Sequence, residues 1–158
     1  EQIRDAMLSV SGELNDNVGG PSVDGSSNRR SLYLRSHRNK PNDFLHAFDA
    51  ANGLKSVAER NRTTTPTQSL MMINGRFALE RAEKLASRVE QSECRTAGDV
   101  VRYLIRLAWC RHATDNEVTA TLDFLGCKAD QTTDMIAEEK LIDFCHVLLN
   151  SSEFLYVD

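Results

Sequence analysis

The sequence predicts a mainly α-helical fold, an irregular multi-helix domain with a long loop and at most one short β element. Apolar residues recur at intervals of three and four over most of the chain, which is the period of an amphipathic helix. Residues that cap helix N-termini precede several of these runs, at Thr65, Thr96 and Thr114. Only residues 31–36 alternate convincingly between apolar and polar side chains, as a strand does.

Length and composition fit one globular domain, residues 1–158. A chain of this size buries about 70% of its unfolded surface and needs neither a metal nor a disulfide for its core. Hydrophobic residues make up 41% and charged residues 27%, which argues against a disordered or fibrous chain. No apolar run approaches the roughly 20 residues of a membrane span. Four cysteines without a C-x-x-C pair leave both free thiols and two disulfides open.

The N-terminal part of the chain predicts one helix followed by the long loop. Ile3, Met7 and Val10 follow helical spacing almost from the first residue, with neither a capping residue nor an initiator Met before them. We therefore expect a fragment of a longer protein. Residues 15–31 contain Gly19-Gly20-Pro21 and further turn formers, which predict a long mobile loop.

The strongest local signal in the chain is the helix start at Thr65-Pro66-Thr67-Gln68. Thr65 supplies the N-cap hydroxyl, Pro66 the first helical residue, and Gln68 the partner three residues after the cap. The helix that follows is short and apolar and stops at Asn74-Gly75, so we expect it to be buried.

Further helices are predicted on both sides of this start. A short helix capped by Asn42 precedes it, and apolar stripes predict helices over about 76–91 and from about 97, 115 and 133 onward. The last helix ends at Asn150-Ser151-Ser152. The strip that follows, Phe154 to Val157, should be docked on the core or on a partner, because in water it would form an apolar patch.

We find no pattern typical of a catalytic, cofactor or metal site. Haem attachment needs C-x-x-C-H, which the chain lacks. The neighbours Cys110-Arg111-His112 and Cys145-His146 do not match structural zinc spacing, and adjacent residues on a helix point about 100° apart. There is neither a G-x-S-x-G elbow nor a glycine-rich phosphate loop ending in lysine. We therefore assign no catalytic residue, cofactor or metal to this chain.

The charge is unevenly distributed along the chain. Between Arg29 and Arg62 there are eight basic and three acidic residues, a local charge of +5. Since the net charge of the chain is −4, the other residues together carry −9. Such asymmetry predicts a basic face that meets an anion or an acidic partner. Nucleic acid is not expected there, because few aromatic residues interleave with the basic ones and the chain as a whole is acidic.

A candidate anion site lies where the basic segment meets the start of a helix. Unpaired N–H groups and the helix dipole favour an anion at the N-terminus that Thr65 caps. We favour a structural interpretation of these residues, in which Thr65 only caps the helix and the arginines pair with carboxylates such as Asp49 or Asp158. The candidate residues for binding an anion or a partner are Arg60, Arg62, Thr63, Thr64, Arg35 and Arg38.

Two motifs resemble a planctomycete domain family of unknown function. The first is Arg60-x-x-Thr63-Thr64-Thr65-Pro66-x-Gln68-Ser69-Leu70-x-x-x-Asn74-x-x-Phe77, and the second runs from Leu148 to Asp158. The segments Ile3-Arg4-Asp5-Ala6-Met7-Leu8, Gly19-Gly20-Pro21 and Arg29-Arg30-Ser31-Leu32-Tyr33 are similar too. One departure is Cys110-Arg111-His112-Ala113, where such domains tend to show a glycine-arginine pair and then a proline.

The resemblance implies the C-terminal module of a large exported protein that often carries a cytochrome c-like domain upstream. It thus implies an extracytoplasmic location, in the periplasm or the cell envelope. Any haem would lie in the upstream region. The resemblance supplies no established catalytic residue.

We therefore expect a structural or interaction module rather than an enzyme. Its basic segment, residues 29–62, would face the upstream domain of the same protein or an anionic polymer such as a sulfated glycan. The alternative is part of an enzyme or redox protein in which upstream domains complete an active site around Arg60, Arg62 and Asp49. The residues expected to hold the fold together are Thr65, Pro66, Gln68, Asn74, Asn150, Glu153, Phe154 and Tyr156.

Overall fold

A computed structural model describes residues 1–37, 42–50 and 65–156. The fold is mainly helical, as predicted, and the β structure of these ranges consists of isolated bridges. None of the helices described has the length and apolar character that a membrane crossing requires. The α-helices of the described ranges are α1 (Gln2–Val10), α2 (Asp43–Ala47), α3 (Pro66–Asn74), α4 (Arg76–Ser87), α5 (Ala97–Trp109), α6 (Asp115–Leu125), α7 (Glu138–Asn150) and α8 (Ser152–Leu155).

Several helices begin where local side-chain chemistry predicts. Thr65, Thr96 and Thr114 each accept a hydrogen bond from the backbone N–H three residues later, and the side chain there accepts one from the threonine N–H. Asn42 caps α2 by accepting a 3.0 Å bond from the Leu45 N–H. Each such cap satisfies a backbone donor that the helix start leaves unpaired and stabilises the helix by about 1 kcal/mol.

The core lies between α4, α5 and α7. Ala78, Ala82 and Leu85 point inward from α4 and are completely buried, as are Leu148 and Leu149 of α7. The small alanine side chains allow α7 to pack closely along α4, and this is the most extensive helix pair of the described chain. The buried apolar residues of α5 are Ala97, Val100, Val101, Leu104, Ile105 and Ala108.

Residues 31–36 do not form the predicted strand. Ser31–Tyr33 is instead a 3₁₀ turn. The cause is distant in sequence, because the Asp5 carboxylate accepts hydrogen bonds from both the Ser31 N–H (2.8 Å) and the Ser31 hydroxyl (2.7 Å). This contact bends the backbone and leaves Leu32 76% exposed.

The prediction that α3 is buried is wrong for half of the helix. Gln68 and Met72 are buried, whereas Leu70 is 60% and Ile73 is 53% exposed. The reason is that α3 packs against α2, α4 and α7 through one face only.

Two predicted helix bounds also differ from the structure. The helix predicted over 76–91 is α4 up to Ser87, followed by a 3₁₀ turn at Arg88–Gln91. The helix predicted from about residue 133 begins at Glu138, after a separate 3₁₀ turn at Thr133–Met135. Short 3₁₀ turns are common at helix ends and as connectors, and apolar spacing does not distinguish them from α-helix.

Candidate functional site

Most of the predicted anion site is not placed. Arg60, Arg62, Thr63, Thr64 and Arg38 lie outside the described residues. Arg35 is exposed, and its Nε donates a 3.4 Å hydrogen bond to Ser22 Oγ. The anion site at the start of α3 therefore stays a prediction.

The predicted structural residues around α3 lie at its two ends. Thr65 and Gln68 form the capping box, and Pro66 is the first helical residue. Gln68 does more than was predicted, because its Nε2 also donates to the Ala47 carbonyl at 3.0 Å and so joins α3 to the end of α2. Asn74 is the exposed last residue of α3.

The C-terminal strip is docked through part of its residues. Phe154 and Leu155 are partly buried and pack against the core. Tyr156 is 60% exposed and does not dock on the core of the described residues, so its contact with a partner stays a prediction. Its backbone N–H continues the α8 pattern by bonding to the Ser152 carbonyl, while its side chain points outward. Asn150 Nδ2 donates to the His146 carbonyl one turn earlier in α7, at 2.8 Å.

A buried arginine on α1 organises the loop that follows the helix. Arg4 is 2% exposed, and its guanidinium donates to the carbonyls of Ser27 and Arg29 and to the Ser31 hydroxyl. Burial lowers the pKa of Arg4, and the neighbouring Asp5 carboxylate opposes this shift. Arg4 and Asp5 together fix the end of the loop at Ser31.

A second arginine, Arg29, holds the glycine-rich part of the same loop. Its guanidinium lies 4.1 Å from the centre of the Tyr33 ring and donates to the carbonyls of Asn17 (2.8 Å), Gly19 and Pro21 (3.3 Å). Gly19 has φ +80°, a left-handed conformation that favours glycine, and its N–H bonds to the Tyr33 hydroxyl at 3.0 Å. The long loop predicted over 15–31 is thus folded around two arginines.

The loop held by Arg4 and Arg29 exposes three side chains to solvent. We call these residues, Arg30, Leu32 and Arg35, the basic turn. Both arginines are exposed, and Leu32 between them is 76% exposed. The backbone of Ser31 is bonded to Asp5, so the position of the turn is fixed relative to α1. An exposed leucine between two cations on a supported turn is suited to contact with an anionic surface that has an apolar part.

A further charged contact ties α1 and the residues after it to α4. The Arg81 guanidinium lies 4.7 Å from the centre of the Phe77 ring, and Arg4 lies over the same ring at 5.7 Å. Arg81 Nε is 2.6 Å from Glu13 Oε2. Arg88, after α4, donates to the Val10 carbonyl at 2.6 Å. The N-terminal segment is therefore held along the length of α4.

Arg111 forms a third charged cluster, between α5, α6 and α8. It contacts the carboxylates of both Glu117 and Glu153 through pairs of N–H groups, and it lies 4.9 Å from the centre of the Trp109 ring. Hydrogen bonds from Arg111 lower the pKa of Glu117 to about 2 and also lower that of Glu153. Bonds to the same two carboxylates raise the pKa of Arg111. The predicted structural residue Glu153 lies in this cluster.

The turn that carries Arg111 also fixes α8. Trp109 Nε1 donates to Ser151 Oγ at 2.8 Å, and that oxygen accepts the Phe154 N–H at the start of α8. Cys110, between Trp109 and Arg111, has φ +55° and ends α5 in the left-handed conformation. A left-handed residue at the end of a helix is a common way to end it, and glycine is the residue usually found there.

An open cleft of about 750 Å³ lies where the end of α4 diverges from the start of α7. Val89, Ile136, Leu141 and Ile142 supply apolar side chains to it. Among the residues that the structure describes, its charged lining consists of Glu83, Glu90, Asp134, Glu138 and Lys84. We call this the acidic cleft.

The chemistry available in the described part is that of charge pairing. No group of three or more His, Cys, Asp or Glu residues suited to holding a metal occurs in residues 1–37, 42–50 and 65–156. The four cysteines, all described, are free thiols. Burial raises the pKa of Cys145 to about 12, which keeps it a protonated core residue.

Comparison with known proteins identifies a family. A family model described as "PSD1: Protein of unknown function (DUF1553)" matches residues 1–125. The chain belongs to the DUF1553 family. In this DUF1553 chain the match spans α1 to α6 and includes the basic turn and Arg111, while α7 and α8 follow the matched residues. No curated protein and no solved structure matches the chain.

Sequence reasoning did not find the three arginine clusters of this DUF1553 chain. Arg4 lies on α1 among apolar residues, and that placement is the one local signal that it is buried. Arg111 and Glu153 are 42 positions apart, and no local pattern connects them. Glu117 was predicted only as the partner of Thr114 in a capping box, and its contact with Arg111 was not predicted.

Proposed function

We propose that this chain is a structural or interaction module and that its basic segment, residues 29–62, faces a partner. The partner is an upstream domain of the same protein or an anionic polymer such as a sulfated glycan. The setting we propose is an exported, extracytoplasmic protein of the planctomycete type that the motifs resemble, with any haem in an upstream region.

The observation that carries the proposal is that two arginines of the N-terminal part support the loop from inside, whereas two others are exposed on it. Arg4 and Arg29 bond to backbone carbonyls inside the loop, and by doing so they support a turn on which Arg30 and Arg35 are exposed. A supported turn loses little conformational entropy when it binds. The exposed cations also begin a segment with a charge of +5 in a chain whose remainder carries −9.

A sulfated polysaccharide, heparin, is the probe that tests the proposal. We expect salt-sensitive binding to the folded chain, weakened about tenfold in R30Q/R35Q and in R60A/R62A, because each variant removes two cations from the contact. The matched control is R102Q/R106Q, which removes two exposed cations from α5, outside the basic segment. Binding that ignores salt, or that falls equally in the control, would contradict the proposal.

A further inference from the structure

The acidic cleft and the basic turn are complementary in both charge and apolar character. The cleft is lined by carboxylates and by partly exposed apolar side chains such as Ile136 and Ile142. The basic turn places Arg30 and Arg35 on either side of the 76% exposed Leu32. The basic turn therefore combines an apolar side chain with cations, and the acidic cleft combines apolar side chains with carboxylates.

The two surfaces lie towards opposite ends of α4. The basic turn is bonded to Asp5, next to Arg4, which lies over the Phe77 ring at the start of α4. The acidic cleft is lined by Glu83 and Glu90, in the last part of α4 and the turn after it. The 12 residues of α4 span about 18 Å, so the two surfaces lie about one helix length apart on each copy.

We propose that the acidic cleft of one copy of this chain binds the basic turn of a second copy. Leu32 enters the apolar part of the cleft, and Arg30 and Arg35 pair with its carboxylates. Because the contact joins two different surfaces, it is head-to-tail and continues into a chain or closes into a ring. Exposed ion pairs are weak and screened by salt, so the association is concentration-dependent and strongest at low ionic strength.

Sedimentation velocity of the purified chain tests the proposal by charge reversal. In low salt we expect the average mass of the wild type to rise with concentration. R30E/R35E makes both surfaces acidic, and E83K/E90K makes both surfaces basic, so each variant alone should weaken association at least about tenfold. An equimolar mixture of the two variants should associate again, because a basic turn then meets an acidic cleft.

Matched controls separate this contact from general charge effects. D123K/D130K reverses two exposed carboxylates outside the cleft and should associate like the wild type. Leu32→Ala should weaken association, whereas Val147→Ala, at an apolar residue of α7 that is 61% exposed, should not. Circular dichroism of each variant checks that the helices are retained.

Two outcomes would overturn the proposal. One is a wild type that stays monomeric at every concentration in low salt, and the other is a mixture of the reversed variants that fails to associate. The inference shares Arg30 and Arg35 with the proposed function, but E83K/E90K distinguishes them. That variant should lose self-association while its affinity for heparin is retained or increased, because it keeps the basic turn and gains two cations.

Discussion

At the scale of single residues, the arginines divide into buried and exposed groups with different roles. Arg4 is almost completely buried and replaces its hydration with backbone carbonyls and a neighbouring carboxylate. A buried charge is tolerated only with such partners, and removing one side of the arrangement leaves the other unpaired. Arg30 has no comparable burial.

Arg4→Met should therefore destabilise the fold by about 2–4 kcal/mol, because the carbonyls of Ser27 and Arg29 lose their donor and the Asp5 carboxylate loses its neighbouring cation. Urea denaturation measures this change. The exposed control, Arg30→Met, should change the free energy of unfolding by less than about 0.5 kcal/mol. Equal effects of the two substitutions would show that Arg4 does not organise the loop.

Cys110 is the second residue with a direct stability prediction. Its φ of +55° is in the left-handed region, which costs a non-glycine residue about 1–2 kcal/mol. Since the side chain is exposed, Cys110→Gly should stabilise the fold by about 0.5–1 kcal/mol, and Cys110→Ala should not. A Cys110→Gly variant that is less stable than Cys110→Ala in thermal unfolding would contradict this account of the turn.

Glu117 makes stability depend on pH. Its folded-state pKa of about 2 lies below the ordinary value of 4.5, chiefly because Arg111 donates hydrogen bonds to it. Its contribution is therefore complete above about pH 4.5 and is lost as the pH falls towards 2.

Glu117→Gln keeps a side chain that suits the capping box but removes this charge. Between pH 4.5 and 2 the variant should lose less stability than the wild type, by about 1 kcal/mol or less because the pair is partly exposed. Chemical denaturation over a series of pH values measures the difference. Parallel pH profiles of the two proteins would refute the assignment.

At the scale of elements, what could be predicted depended on sequence distance. Helix starts at Thr65, Thr96 and Thr114 were predictable because an N-cap and its partner are three residues apart. The turn at Ser31 was not, because its cause is Asp5, 26 residues away. The exposure of Leu70 likewise depends on which faces of α3 its neighbours cover.

The packing of α4 on α7 should be the interface least tolerant of added volume. Ala82 of α4 is completely buried, so Ala82→Leu should destabilise the fold by about 1–3 kcal/mol or more. Ala120→Leu adds the same volume at an exposed position of α6 and should be nearly neutral. Differential scanning calorimetry would show whether only the first lowers the melting temperature.

At the scale of the whole molecule, opposite charges are separated in space as well as in sequence. The basic turn lies near the start of α4 and the acidic cleft lies near its end. The match to the DUF1553 model covers residues 1–125. From the sequence, the candidate site could be predicted only as a basic segment. Which of its arginines are exposed depends on the folding of the loop around Arg4 and Arg29.

The salt dependence of heparin binding tests the central claim most directly. The logarithm of the binding constant should fall linearly with the logarithm of the salt concentration, because each ionic contact releases a counterion. In R30Q/R35Q the slope should be shallower by roughly one unit or more, since two contacts are lost. A slope near zero for the wild type, or one unchanged in the variant, would show that the basic turn does not face an anionic partner.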